Sequence, residues 1–123
     1  MSLNEILHSG LKSIPGCRSV CYVDMSARLV LASKSHKPQP QEVYDAIAGR
    51  AVCLLQNASF TSVITNTGGA ARALLFGQSD VQVFVQTKND PDHALCCLCD
   101  IEVDPEVVTN KMEEIRQDFP KVF

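Results

Sequence analysis

Residues 15 to 35 read Pro-Gly-Cys-Arg-Ser-Val-Cys-Tyr-Val-Asp-Met-Ser-Ala-Arg-Leu-Val-Leu-Ala-Ser-Lys-Ser, two apolar runs separated by a short polar break. Cys17 to Val23 and Arg28 to Ser33 are of strand length and rich in Val, Leu, Tyr and Cys. Asp24-Met25-Ser26-Ala27 lies between them, and the Asp24 carboxylate can close a turn there by accepting from its own backbone. The pattern predicts a β-hairpin. In its first run Cys21 and Val23 alternate with Val20 and Tyr22, so both faces are apolar, as in a strand covered on both sides. The hairpin is therefore expected inside a sheet.

On the N-terminal side, Ser2 with Glu5 three positions later forms a capping box. Leu3, Ile6, Leu7, Leu11 and Ile14 then repeat at helical spacing until Pro15-Gly16. This predicts an amphipathic helix covering one face of the sheet. On the C-terminal side, Lys37-Pro38-Gln39-Pro40 is an extended connector, because each proline disfavours helix in the residue before it, and Pro40 suits the first turn of a second helix.

That second helix, expected over Gln41 to Gln56, carries an unusually wide apolar arc. On a wheel of about 100° per residue, Val43, Tyr44, Ile47, Ala48, Ala51, Val52, Leu54 and Leu55 cover roughly half the cylinder. Ala46, Ala48, Gly49 and Ala51 keep the surface shallow enough for another backbone to approach. Two readings follow: a helix sunk deep in its own domain, or one buried partly by a partner. Under the second, the arc divides into a bulky sector (Val43, Ile47, Leu54) and a mixed sector (Tyr44, Ala48, Val52, Leu55), one facing the sheet and the other a second copy.

Beyond Asn57 the periodicity shortens. Phe60 to Thr65, Ala71 to Phe76, Val81 to Thr87 and Ala94 to Cys99 are strand-length runs broken by polar turns, the first of them equally readable as an irregular extension of the helix. Asp104 then caps a last helix that has Pro105 at its first position and a stripe of Val108, Met112, Ile115 and Phe119. The expected architecture is α/β, in the order α-β-β-α-β-β-β(-β)-α. One antiparallel or mixed sheet of five to six strands carries helices on its faces, as a single domain over 1–123.

Composition narrows the function by exclusion. The 123 residues are 46% hydrophobic but hold no run of the roughly 20 apolar residues a membrane span needs. Asn4, Glu5 and His8 interrupt any signal-peptide core, which points to the cytoplasm. With a net charge of −3 and eleven scattered Lys and Arg, no basic stripe exists for a nucleic acid or an anionic membrane. His8, His36 and His93 lie in no motif with a nucleophile, so no catalytic residue is expected. Cys96-Cys97-Leu98-Cys99 is the densest potential metal site; on a strand Cys97 and Cys99 share a face, and a composite site can be drawn if Cys17 and Cys21 share one on a neighbouring strand. Packing of reduced thiols as small hydrophobes is the simpler reading, so neither metal nor cofactor is expected. Asn66-Thr67-Gly68-Gly69 lacks the lysine of a phosphate loop and reads as a plain turn.

The element order, together with Ile14-Pro15-Gly16 ending the first helix, the first strand running into Asp24 and the second closing in Leu29-Val30-Leu31-Ala32-Ser33, resembles the Roadblock family. These are the dynein light chain and GTPase-regulator relatives of the profilin-like folds. Val81 to Thr87 and Ala94 to Cys99, ending at Asp100, look like that family's last two strands. Ala27 stands where the family usually has a hairpin glycine, and one strand is in excess of its five. The resemblance implies a non-catalytic regulatory scaffold that dimerises through the second helix and an adjoining edge strand, and offers the dimer to a Ras-like small GTPase. The competing reading is a small-molecule sensor with a ligand between sheet and helices.

Overall fold

The computed structural model describes residues 2–56, 64–67, 70–87 and 92–117. The first helix, α1 (Leu3–Ser13), starts where Ser2 Oγ accepts from the Glu5 N–H at 3.2 Å. The chain turns out of it at Gly16, whose φ of +67° is in the left-handed region and where any Cβ would overlap Val103 Cγ1. The hairpin follows as β1 (Cys17–Asp24) and β2 (Leu29–Ser35). After it come α2 (Gln41–Gln56), β3 (Ile64–Thr67), β4 (Ala70–Phe76), β5 (Asp80–Gln86), β6 (His93–Asp100) and α3 (Pro105–Arg116), the last capped by Asp104 as expected.

All six strands form one antiparallel sheet in the order β2-β1-β6-β5-β4-β3. Of the strand expected at Phe60 to Thr65, residues 60–63 lie outside the described residues; the strand seen begins at Ile64 and runs to Thr67, which pairs with Ala70. Phe119 lies outside them as well. The hairpin is only half interior: β1 lies between β2 and β6, whereas β2 is an edge. The sequence of β1 carries the two-sided burial, and β2, with Leu29 and Leu31 exposed, does not. The register of β1 and β2 shifts between Tyr22 and Val23, leaving Leu31 as the extra residue of a bulge, a device that discourages pairing along an open edge.

Two cores result, one on each face. On one, α1 and α3 bury Leu7, Leu11, Val108 and Met112 against Val20, Tyr22, Val83 and Leu95. On the other, α2 is the one helix among the described residues, and it buries Ile47, Ala48, Ala51, Leu54 and Leu55 against Cys21, Val23, Phe84 and Cys96. Strands of seven or eight residues are about 25 Å long at about 3.3 Å per residue, and a helix that crosses them, as α2 does, is about 10 Å wide along that direction. Among the described residues, one such helix therefore covers less of this face than two helices cover on the other side.

Candidate functional site

The α2 face is the first candidate. The helix touches β1, β2, β4, β5 and β6, so it runs across the strands rather than along them. Its inward stripe is a single arc of Ile47, Ala48, Ala51, Leu54 and Leu55, while Val43, Tyr44 and Val52 flank that arc half-buried. The two expected sectors are therefore not an inner and an outer one. Ile47 and Leu54 of one, and Ala48 and Leu55 of the other, are all buried in the same core, because the side chains that point inward straddle the boundary between the sectors. Tyr44 is tied to the chain's own edge strand: its hydroxyl lies 2.9 Å from Ser35 Oγ, which lies 2.8 Å from Ser19 Oγ.

What α2 turns outward was only partly legible in its sequence. Glu42 and Cys53 are exposed, Ala46 and Gly49 half-exposed, and these four follow one another at spacings of four, three and four along one line of the helix. A Cβ built on Gly49 meets nothing within 4 Å. Beside this line a cleft of about 360 Å³ opens between α2 and the sheet, lined by Val43, Ala46 and Arg50 on the helix and by Asp80, Gln82 and Leu98 on the strands. Arg50 Nη1 donates to Gln82 Oε1 across it at 3.0 Å. Val30, Leu75 and Leu98, at the margins of the same sheet face, remain half-buried.

The second candidate is a group of thiols. Cys97 and Cys99 share a face of β6, as their spacing requires, and the register sets Cys17 of β1 opposite Cys99. Cys17 and Cys21, expected on one face, are on opposite faces. The pairing of β1 with β6 shifts between Cys17 and Ser19, so the extra residue Arg18 turns Cys17 to the α1/α3 side while Cys21 stays with Cys96 under α2. Cys17 Sγ lies 3.2 Å from Cys97 Sγ, which lies 3.1 Å from Cys99 Sγ. The Cys17 thiol also donates to the Ser19 carbonyl at 3.4 Å. The three titrate as a unit: hydrogen bonds from Cys17 and Cys97 draw the Cys99 thiol down, and the same contacts, with burial, push Cys97 up. On the other face, burial pushes Cys21 up to about 12.

The histidines are dispersed. His8 and His36 are exposed, and His93 Nδ1 lies 2.8 Å from Tyr22 Oη, with the two rings edge to face at 5.1 Å. The contact joins β6 to β1 across their paired register and packs a phenol, rather than a serine or a thiol, against that ring nitrogen.

No family model matches the sequence, and no curated protein matches it. Solved structures do. The Roadblock/LC7 domain from Streptomyces avermitilis superposes with a TM-score of 0.73 at 14% identity, over 98% of this chain and 97% of that one. The gliding protein MglB from Thermus thermophilus gives 0.67 at 16% identity, over 96% and 85%. A structure described as MglB with a tetrameric arrangement gives 0.68 at 15%, over 96% and 85%. At these identities the likeness is one of fold, and the chain has the Roadblock/LC7 fold, with α-β-β-α-β-β-β-α as its shared frame and β3 as an added strand at one edge. No helix among the described residues is long and apolar enough to cross a membrane.

Proposed function

We propose that this protein is a non-catalytic, cytoplasmic regulatory scaffold that forms a homodimer through α2 and presents the dimer to a Ras-like small GTPase. One observation carries the reading: among the described residues a single helix crosses a sheet face whose strands are long enough for two side by side, and the side of that helix left open is shallow. A second α2 laid beside the first would complete the layer and bury the Ala46, Gly49 and Cys53 line. The charges suit a twofold arrangement. Glu42 and Arg50 stand four residues on either side of Ala46, so antiparallel helices crossing at Ala46 would bring Glu42 toward Arg50 of the partner subunit, twice. The tetrameric arrangement of one MglB structure is consistent with self-association on this fold. The GTPase rests on the resemblance alone.

Light scattering on the purified chain is expected to give twice 13.4 kDa. Gly49→Glu, placed in open space, is expected to give a folded monomer with unchanged circular dichroism. Arg50→Glu should weaken the dimer, and Glu42→Arg combined with Arg50→Glu should restore it. A wild-type monomer, or a dimer indifferent to all of these, overturns the homodimer, and a small molecule carried through purification would favour the sensor reading. Pull-downs with Ras-like GTPases of the same organism in both nucleotide states test the partner; recovery of none refutes it.

A further inference from the structure

We propose that Cys17, Cys97 and Cys99 form a three-thiolate site for a soft monovalent metal ion, Cu(I). Their sulfur atoms all lie within 4.8 Å of one another, and the residues are 5%, 3% and 0% exposed. Three sulfurs about 2.3 Å from a shared ion would stand roughly 4.0 Å apart in a plane, so the pairs now 3.1 Å and 3.2 Å apart must open by just under about 1 Å, within the 4.8 Å that bounds the group, to admit it. The three belong to the apolar core under α1 and α3, and there the local register brings their sulfurs together. Cys21 and Cys96 lie in the apolar core of the opposite face, and the Arg18 bulge turns Cys17 away from Cys21 and onto Cys97, 3.2 Å away.

The donor set selects the metal. No fourth His, Cys, Asp or Glu joins the group among the described residues, and structural zinc takes four ligands. Soft thiolates favour Cu(I), which is satisfied by three. The site has an entry path: Cys17 lines a cleft of about 520 Å³ together with Lys12, Arg18 and His36. At the mouth Arg18 is ion-paired with Asp100, which lines the same cleft, so Lys12 supplies the net positive charge facing a centre that would carry −2. Each thiol releases its proton to solvent as its Cu–S bond forms, and the copper stays Cu(I) throughout.

The test is an anaerobic titration of the reduced full-length chain with Cu(I) against a competing bathocuproine chelator. The expected result is one Cu(I) per chain, a sulfur-to-copper absorbance in the near ultraviolet, and three sulfur neighbours by X-ray absorption. Cys17→Ser and Cys97→Ser should each weaken binding at least about 100-fold, while Cys53→Ser and Cys21→Ala leave it unchanged. Circular dichroism checks that the variants fold; if they do not, the sulfur count on the wild type decides. Failure to hold copper against the chelator, fewer than three sulfur neighbours, loss of copper in Cys53→Ser, or displacement of Cu(I) by equimolar zinc would overturn the site.

Discussion

Asp24 closes the first hairpin with one oxygen: Oδ1 accepts from the Ser26 N–H at 3.0 Å, the Ser26 hydroxyl at 2.7 Å and the Ala27 N–H at 3.3 Å. The Ser26 bonds hold its carboxyl below the usual range, and the Ala27 bond adds to this. A depressed carboxyl stabilises the fold fully above its unfolded value, near pH 4, and loses that contribution as pH falls through the lower folded value. Asp24→Ala is therefore expected to leave an acid unfolding curve less steep below pH 4, measured by circular dichroism. The residue after the turn takes the left-handed backbone: Arg28 has a φ of 54°, whereas Ala27 does not have a positive φ. Arg28→Gly should stabilise the protein by about 1 kcal/mol in urea denaturation by removing that strain, and Ala27→Gly should not.

Among the elements, α2 is the most sharply divided. Ile47 and Ala48 are 3% and 0% exposed, so a carboxylate at either would be buried without a partner. Ile47→Glu and Ala48→Glu are each expected to cost at least about 3 kcal/mol, read by denaturation, whatever the state of assembly. Gly49 is one position further on and faces open space; Gly49→Glu should hold or raise monomer stability, since glycine costs about 1 kcal/mol in a helix interior. Under the proposed dimer, three consecutive residues would separate a folding role from an assembly role. If Ala48→Glu folds normally, the inward face has been misassigned. The sheet element holding the thiols is shaped by the same kind of local shift, a bulge at Arg18 that exchanges the face of everything before it.

At the scale of the whole molecule the sheet separates two cores that share no buried residue. Ile6 belongs to one and Ile47 to the other, and removing one methyl group from each should cost about 1 kcal/mol. The double variant Ile6→Val with Ile47→Val is expected to lose the sum to within about 0.5 kcal/mol, measured by chemical denaturation. A clear departure would mean that the sheet transmits packing changes between its faces. The ties between layers include polar ones, such as Arg72 Nη1 donating to Glu113 Oε1 at 2.9 Å from β4 to α3.

The sequence by itself determined the order of the elements apart from β3, whose Asn66 and Thr67 read as a turn and are strand residues, because the signals that set the others act over a few residues. Ser2 and Asp104 cap their helices, Asp24 closes its turn, and Gly16 turns the chain out of α1 where no side chain fits. It also determined that α2 carries more apolar surface than a narrow stripe. Only the tertiary structure decided which of that surface points inward, that β2 is an edge, and that Cys17 meets Cys97 rather than Cys21. Those outcomes depend on the register between segments far apart in the chain, 80 residues for the two cysteines, and one bulge in that register moves a side chain to the opposite face. No pattern within β1 or β6 alone contains that information, since each strand's alternation fits either registration equally well until the two are paired.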